Sequence, residues 1–368
     1  MEGRRVVVPA FAESPEAGIA AARLEPQPRP EALAPGEVLV RVVSAAVGWV
    51  DLLMSSGQYQ HMPSPPYVPG LEGAGEVVAT GDAVTRVAPG DRVIIDGFSV
   101  GPRSLGAYQS QGTFATWVVA PEHGLVPLPP TLSFDAGAAL LSSYETAWHC
   151  LVARGRLTAG EVVLIHGASG ATGLAAVQIA RLLGATVIAT GRSPDKLAVV
   201  AAHGADHVLT IGDGAGPGPN GAALRPFREE VKALTGGRGV DVVYDGVGGD
   251  VSLESLRCVR FGARFLIVGW ASTPAVARGH GQRGAPNANL LPTNLVMMKG
   301  LDVLGCPAVI STLFDPSLRP PRLAAVLRWA AEGAIRPHVS HTFPLAAFRD
   351  AMRARWRGEV VGGAVVVP

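Results

Sequence analysis

The stretch VLIHGASGATGLAAVQIA, Val163 to Ala180, limits the fold more than any other part of the chain. An apolar run meets three glycines, Gly167, Gly170 and Gly173, and a helical pattern then runs to Leu183, where Gly184 offers a natural end. From Val162 to Ala180 there are nineteen residues free of Asp, Glu, Lys and Arg, long enough to imitate a membrane span. Glycines in its middle would make a poor helix, so strand, tight turn and helix is the better reading. Such a turn has two uses. It packs a strand on a helix, or it brings backbone close to a dinucleotide pyrophosphate at the helix start.

The surroundings favour the second use. Upstream, RRVVVPAF, EVLVRVVSAAV, GAGEVVATG, DRVIIDG and TFATWVVAP are short, rich in β-branched residues and parted by Gly, Pro and Asp. They predict a small antiparallel barrel or sandwich. From about Phe134 the pattern alternates, with strand-like runs at EVVLIHG, ATVIATG, DHVLTI, GVDVVYDG, ARFLIVG and LDVLGC and helical stretches between several of them. Six strands with crossovers suit a doubly wound parallel sheet. The tail carries a helix around PPRLAAVLRWAAEG, then HVSHTFP, a second helix and GGAVVVP, and most simply returns to the first domain. The expected fold class is therefore α/β, with residues 1–133 and 308–368 in one domain and an inserted nucleotide domain over 134–307. A chain of 368 residues is long enough for both. GDGAGPGPNG and ARGHGQRGAPNAN read as surface loops.

Composition removes several classes. The formal net charge is +1, which argues against steering toward nucleic acid or an anionic membrane. Cys150, Cys258 and Cys306 are far apart, which gives neither a disulfide framework nor a zinc knuckle and suits a reducing, cytoplasmic setting. The opening MEGRRVVVPAFAESPE does not read as a signal peptide.

Written from Ala168, the turn is AxGxxG, with Ser169, Ala171 and Thr172 between Ala168, Gly170 and Gly173. About twenty residues further on, an NAD site carries Asp or Glu for the ribose hydroxyls. Here that place falls at Gly191, followed by Arg192, Ser193 and, one turn on, Lys196. A missing acid and added bases suit a 2′-phosphate, so NADPH is the expected cofactor. The competing reading is a solvated loop edge.

These pieces, with VDLLMSSGQY, YVPGLEGAGEVVATGDAVTRVAPGDRVI, LLSSYETAWHCL, YDGVGG and MMKGLDVLG, resemble the zinc-free quinone oxidoreductase (zeta-crystallin-like) group of the medium-chain dehydrogenase/reductase superfamily. The resemblance covers nearly the whole chain. It implies a GroES-like barrel domain, an inserted Rossmann domain and a homodimer formed through the sheet edge near LDVLG. Zinc-dependent relatives need ligands before the VD segment, within PGHE and near the ETA segment; those places hold Gly48, Leu71 and Ser142. Gly and Leu have no side-chain donor and an isolated Ser is a poor zinc ligand, so no metal is expected. Gly48 also departs from the Asn common in the group, and Ile211 from a tyrosine near the 2′-phosphate.

The resemblance implies a cleft position for Tyr59, whose phenol would hydrogen-bond a carbonyl oxygen, and a place for Thr146 beside the nicotinamide half. Tyr59 is thus the catalytic candidate, against simple packing. Val247, and Val268, Gly269 and Trp270, end the fourth and fifth strands, where ligands gather in such sheets. His166 and His149 read as core groups, and Arg349, Arg353, Arg355 and Arg357 as a solvated helix face. The expected reaction is metal-independent hydride transfer from NADPH to a quinone or other activated α,β-unsaturated carbonyl. The alternatives are an enoyl-thioester reductase and a non-catalytic NADPH-binding, crystallin-like or RNA-binding protein.

Overall fold

The computed structural model describes residues 3–59, 62–104, 106–212, 224–272 and 289–368. Most of the two glycine-rich stretches read as surface loops lies outside the described residues. The chain divides into two compact units, Met1–Ser142 with Arg336–Pro368, and Ser143–Val276 with Gly284–Ile335.

In the first unit the sheet order is Val339–Pro344, Gly363–Val367, Glu37–Ala46, Gly73–Thr80, Arg92–Ile95 and Leu125–Pro127, with Trp117–Pro121 pairing on Glu37–Ala46. Val38, Val40 and Val42 of the central strand face the core while Arg41 turns outward, the alternation of a half-buried strand. The expected antiparallel pattern has one exception. Val339–Pro344 runs parallel to Gly363–Val367, and the helix Phe348–Trp356 makes the crossover, burying Phe348, Ala351 and Met352.

The second unit is a six-stranded parallel sheet, α/β as expected. Its order is His207–Thr210, Thr186–Gly191, Val162–Ile165, Val240–Asp245, Val259–Ile267, Asp302–Gly305. All six sequence runs form strands. Val240–Asp245 is buried at every residue, which is what a central parallel strand requires. The order reverses between Val162–Ile165 and Val240–Asp245, and ligands bind such sheets outside the carboxyl ends of the strands at that switch. The apolar stretch that imitates a membrane span is strand Val162–Ile165 and helix Ala171–Leu182. Among the described residues no helix is long and apolar enough to cross a membrane.

The units part at Ser142/Ser143 and Ile335/Arg336, not at 133/134 and 307/308. Packing explains the shift. Phe134 and Ala138, on the helix Phe134–Ala138, pack with Ala46, Ala74 and Val365 of the first unit. The helix Arg319–Ala331 is tied into the second unit by Glu145, which accepts from Arg319 Nη2 at 2.9 Å and Arg322 Nε at 2.8 Å.

Candidate active site

The second unit places its site with backbone. Strand Val162–Ile165 ends at His166, whose N–H donates to Tyr244 O at 3.0 Å, and Gly167 turns the chain at φ +63°. Gly170 caps the helix Ala171–Leu182. A Cβ on Gly173 would stand 2.3 Å from Gly167 O and 2.9 Å from Ala168 Cα, so the third glycine allows the helix to lie against the turn. A Cβ on Gly170 would meet only Gly167 O, at 3.3 Å. Its side of the turn is less crowded than that of Gly173. The start of a twelve-residue helix leaves N–H groups without intrahelical acceptors and carries the positive end of the dipole. Ala168 is buried, whereas Ser169, Gly170, Ala171 and Thr172 are partly accessible. The residues fit a pyrophosphate.

The neighbouring strand ends carry the other expected residues. Gly191 closes strand Thr186–Gly191, where a Cβ would press on Leu197 at 3.0 Å. Arg192 is exposed, and Ser193 caps the helix Pro194–Ala202 by accepting from Lys196 N at 3.4 Å. Ile211 is buried in the core and donates its N–H to Gly191 O, so it leaves no polar group for a phosphate. Val247 lies directly across the switch, its Cγ2 3.3 Å from where a Gly167 Cβ would be. Asp245 holds that turn, accepting from Val247 N at 2.8 Å and Gly248 N at 2.9 Å, and from the Ser252 hydroxyl. Asp245 O also accepts from Val268 N and Gly269 N, which ties the fourth and fifth strand ends together; Trp270 next to them is half exposed. Thr146 is half-buried on the helix Leu141–Trp148.

His166 is a core group. Its Nδ1 meets Thr190 Oγ1 and its Nε2 meets Ser255 Oγ, each at 2.7 Å, and burial lowers its pKa to about 4. His149 is buried too, with its pKa lowered to about 4 chiefly by desolvation, but its Nε2 has no partner.

The first unit gathers buried charge. Asp51, 1% exposed, accepts from Gly48 N and Gly70 N, each at 2.9 Å. Glu72, 7% exposed, accepts from Ser142 N at 2.9 Å. Two carboxyls thus draw together the backbone at Gly48, the segment around Leu71, and Ser142. Arg103, 9% exposed, donates from Nη2 to Ser142 Oγ at 3.3 Å and lies over the Phe98 ring at 5.1 Å. Desolvation raises the Asp51 pKa to about 6 and the Glu72 pKa to about 7, against the lowering pull of their hydrogen bonds and of Arg103. Tyr59 is half-buried and packs against the core of this unit. Among the described residues no group of three His, Cys, Asp or Glu side chains is placed to hold a metal.

Two family models match, "Alcohol dehydrogenase GroES-like domain" over residues 34–130 and "Zinc-binding dehydrogenase" over residues 171–314. Quinone oxidoreductase-like protein 2 of Mus musculus is 32% identical over 328 residues, covering 89% of this chain and 83% of that protein. The chain belongs to the quinone oxidoreductase group of the medium-chain dehydrogenase/reductase superfamily. It is an oxidoreductase of that group. A phenolphthiocerol/phthiocerol polyketide synthase of Mycobacterium tuberculosis is 36% identical over 233 residues, 63% of this chain and 10% of that protein. A mycobacterial protein solved in complex with NADPH is 25% identical, with TM-score 0.77 and full coverage of both chains.

The residue that the sequence does not announce is Arg103. Setting Gly48, Leu71 and Ser142 beside metal-ligand positions does not bring out the acids and the arginine around them. Asp51 and Glu72 stand in the same two motifs and are visible there. Arg103 sits in a glycine-flanked loop, and only its burial marks it. The carboxy-terminal arginines need a correction. Arg349 donates to Ala22 O at 2.5 Å, and Arg355 donates to Val47 O and Gly362 O, each at 2.9 Å. These two satisfy buried carbonyls and do not form a solvated face; Arg357 is exposed and Arg353 pairs with Asp350 at 3.4 Å.

Proposed function

We propose that the chain reduces a quinone or another activated α,β-unsaturated carbonyl compound with NADPH and without a metal. The observation that carries this reading is the glycine turn followed by Gly191 and Arg192, where an NAD site has an acid. The NADPH complex of the mycobacterial neighbour and the quinone oxidoreductase names of the relatives support it. NADPH supplies a hydride when bound. Ala168, Ser169, Gly170, Ala171, Thr172 and Gly173 hold the pyrophosphate by backbone N–H groups and the helix dipole. Arg192, Ser193 and Lys196 take the 2′-phosphate beside Gly191. Thr146, Val247, Val268, Gly269 and Trp270 confine the nicotinamide half, and the Tyr59 phenol donates a hydrogen bond to the acceptor's oxygen.

Metal independence rests on the donor set. Gly48 and Leu71 offer no side-chain donor, and the Ser142 hydroxyl already accepts from Arg103. Loss of NADPH absorbance with a panel of quinones, enones and enoyl-CoA tests the reading; no consumption with any of them sinks it. The polyketide synthase relative favours a second reading, enoyl-thioester reduction, which wins if crotonyl-CoA far outruns every quinone.

A homodimer is part of the proposal. Asp302–Gly305 is an edge strand of its sheet, and nearby in sequence Met297, Met298 and Phe314 are 73%, 66% and 88% exposed. Sedimentation of Phe314→Glu as a monomer, with wild type a dimer, is the expected outcome; wild-type monomers at all concentrations contradict it.

A further inference from the structure

His166 is the last residue before the glycine turn, and three segments of the second unit meet at its buried ring. Strands Val162–Ile165 and Thr186–Gly191 run in paired register as far as Ile165 and Ala189. The next pair in that register is His166 and Thr190, and here side chains continue the link: His166 Nδ1 lies 2.7 Å from the Thr190 hydroxyl. On the other side of the ring, Nε2 lies 2.7 Å from the hydroxyl of Ser255, which ends the helix Asp250–Ser255. The direction of both bonds follows from the partners. The Ser255 hydroxyl donates its one proton to Val251 O at 2.7 Å, so toward His166 it accepts, and Nε2 carries the ring proton. Nδ1 of that neutral ring then accepts from the Thr190 hydroxyl. Burial favours the same neutral form by lowering the pKa to about 4, against the pull of Asp245. The Phe227 ring lies against the imidazole, with centroids 5.4 Å apart. Thr190 is held to the turn a second time, its carbonyl accepting from Ala168 N at 3.3 Å.

His166 thus stands one residue before Gly167, where the turn assigned to the pyrophosphate begins, and Thr190 one residue before Gly191, beside the place assigned to the 2′-phosphate. We propose that His166 is a positioning residue for the cofactor, its neutral, Nε2-protonated ring holding these two subsites at a fixed spacing so that one dinucleotide engages both at once. This rests on the functional reading above. His166 touches no part of the ligand and acts through Thr190 and the turn. Two phosphate groups carried on one molecule bind better than either alone because the first to dock presents the second at a high effective concentration. That advantage depends on subsites already set at the ligand's own span, and play between the two strand ends reduces it. The ladder of backbone bonds cannot supply the last step of that rigidity, since its paired register stops at Ile165 and Ala189.

The experiment uses the full chain with Thr190→Val, His166→Leu and His166→Asn, and titration calorimetry with two probes. Adenosine 2′-monophosphate reaches only the 2′-phosphate subsite, whereas 2′-phospho-ADP-ribose spans both. Thr190→Val and His166→Leu should each weaken 2′-phospho-ADP-ribose about tenfold while adenosine 2′-monophosphate stays within about twofold. The double variant Thr190→Val, His166→Leu should lose no more than either single one, because both remove the same bond. His166→Asn, whose side-chain oxygen can accept from Thr190 in place of Nδ1, should restore most of the loss. A packing role alone predicts that the two probes weaken alike or not at all, and either result overturns the proposal. If His166→Leu does not fold, Thr190→Val decides on the same criterion. Imidazole 15N shifts of wild type should show a protonated Nε2, and a protonated Nδ1 overturns the bond directions on which the proposal stands. A wild-type chain that binds neither probe sinks the cofactor reading itself, whereas tight binding of both that is unchanged in every variant sinks only the role of His166.

Discussion

At the turn from Ile165 to Ala171 the second unit leaves side chains out, whereas around Asp51, Glu72 and Arg103 the first unit packs charged side chains in. The turn works by backbone: Gly173 lets helix meet strand, and the less crowded side at Gly170 gives an anion access to N–H groups and a dipole. The other cluster works by burial: two acids and an arginine lose water, Asp51 held by two hydrogen bonds and Glu72 and Arg103 by one each, from or to Ser142. A backbone site tolerates changes that leave alone the glycines and the groups that hold them. A buried-charge site makes stability itself depend on pH.

The sharpest break between the two is steric. Gly173→Ala forces a Cβ onto backbone atoms that cannot yield, so chemical denaturation should show a loss of about 3 kcal/mol or more, with NADPH affinity falling in step. Gly170→Ala, whose Cβ would meet a single backbone oxygen at 3.3 Å, should cost under about 1 kcal/mol. Equal losses would mean that the turn is not the close approach described.

Next comes pH. The folded chain holds protons on Asp51 and Glu72 above their ordinary values of 3.8 and 4.5, up to about 6 and about 7, where the unfolded chain has released them. Stability from these groups is therefore full at low pH and lost as pH rises through that window, by about 3 kcal/mol for each group. Across the window the unfolding free energy of wild type should fall relative to that of the double variant Asp51→Asn, Glu72→Gln, the opposite contribution of the buried His149 and His166 being common to both. Equal slopes in the two proteins contradict the assignment. At the head of the glycine turn the dependence has the opposite sign, because burial lowers the His166 pKa to about 4 and its contribution is lost as pH falls.

A smaller effect separates cofactor choice from folding. Arg192→Ala should weaken NADPH by about 1–3 kcal/mol and leave NADH and the unfolding midpoint nearly unchanged, as titration calorimetry would show. Equal weakening of both cofactors would refute a 2′-phosphate contact.

The same contrast explains what is legible in the sequence. Glycines at set intervals after an apolar run announce a turn because few other causes produce them, and the six apolar runs of the second unit all form strands. In the first unit, Arg23–Gln27 and Leu125–Pro127 carry no clear strand signal, since one holds charges and proline and the other is three residues long. Arg103 is invisible for a different reason. An arginine between glycines looks solvated until the fold places Phe98 and Ser142 against it. Arg355 misleads in the same way, its helical spacing suggesting an exposed face where the chain needs donors for Val47 O and Gly362 O. Tyr59 is legible through the resemblance, and its ring packs against the barrel core of the first unit.

The central claim, reduction by NADPH with no metal, is tested most directly by the rate of NADPH oxidation with 1,4-naphthoquinone before and after exhaustive dialysis against a chelator. The account predicts turnover at an unchanged rate in the metal-stripped protein. Activity that disappears on dialysis and returns with added zinc would contradict it.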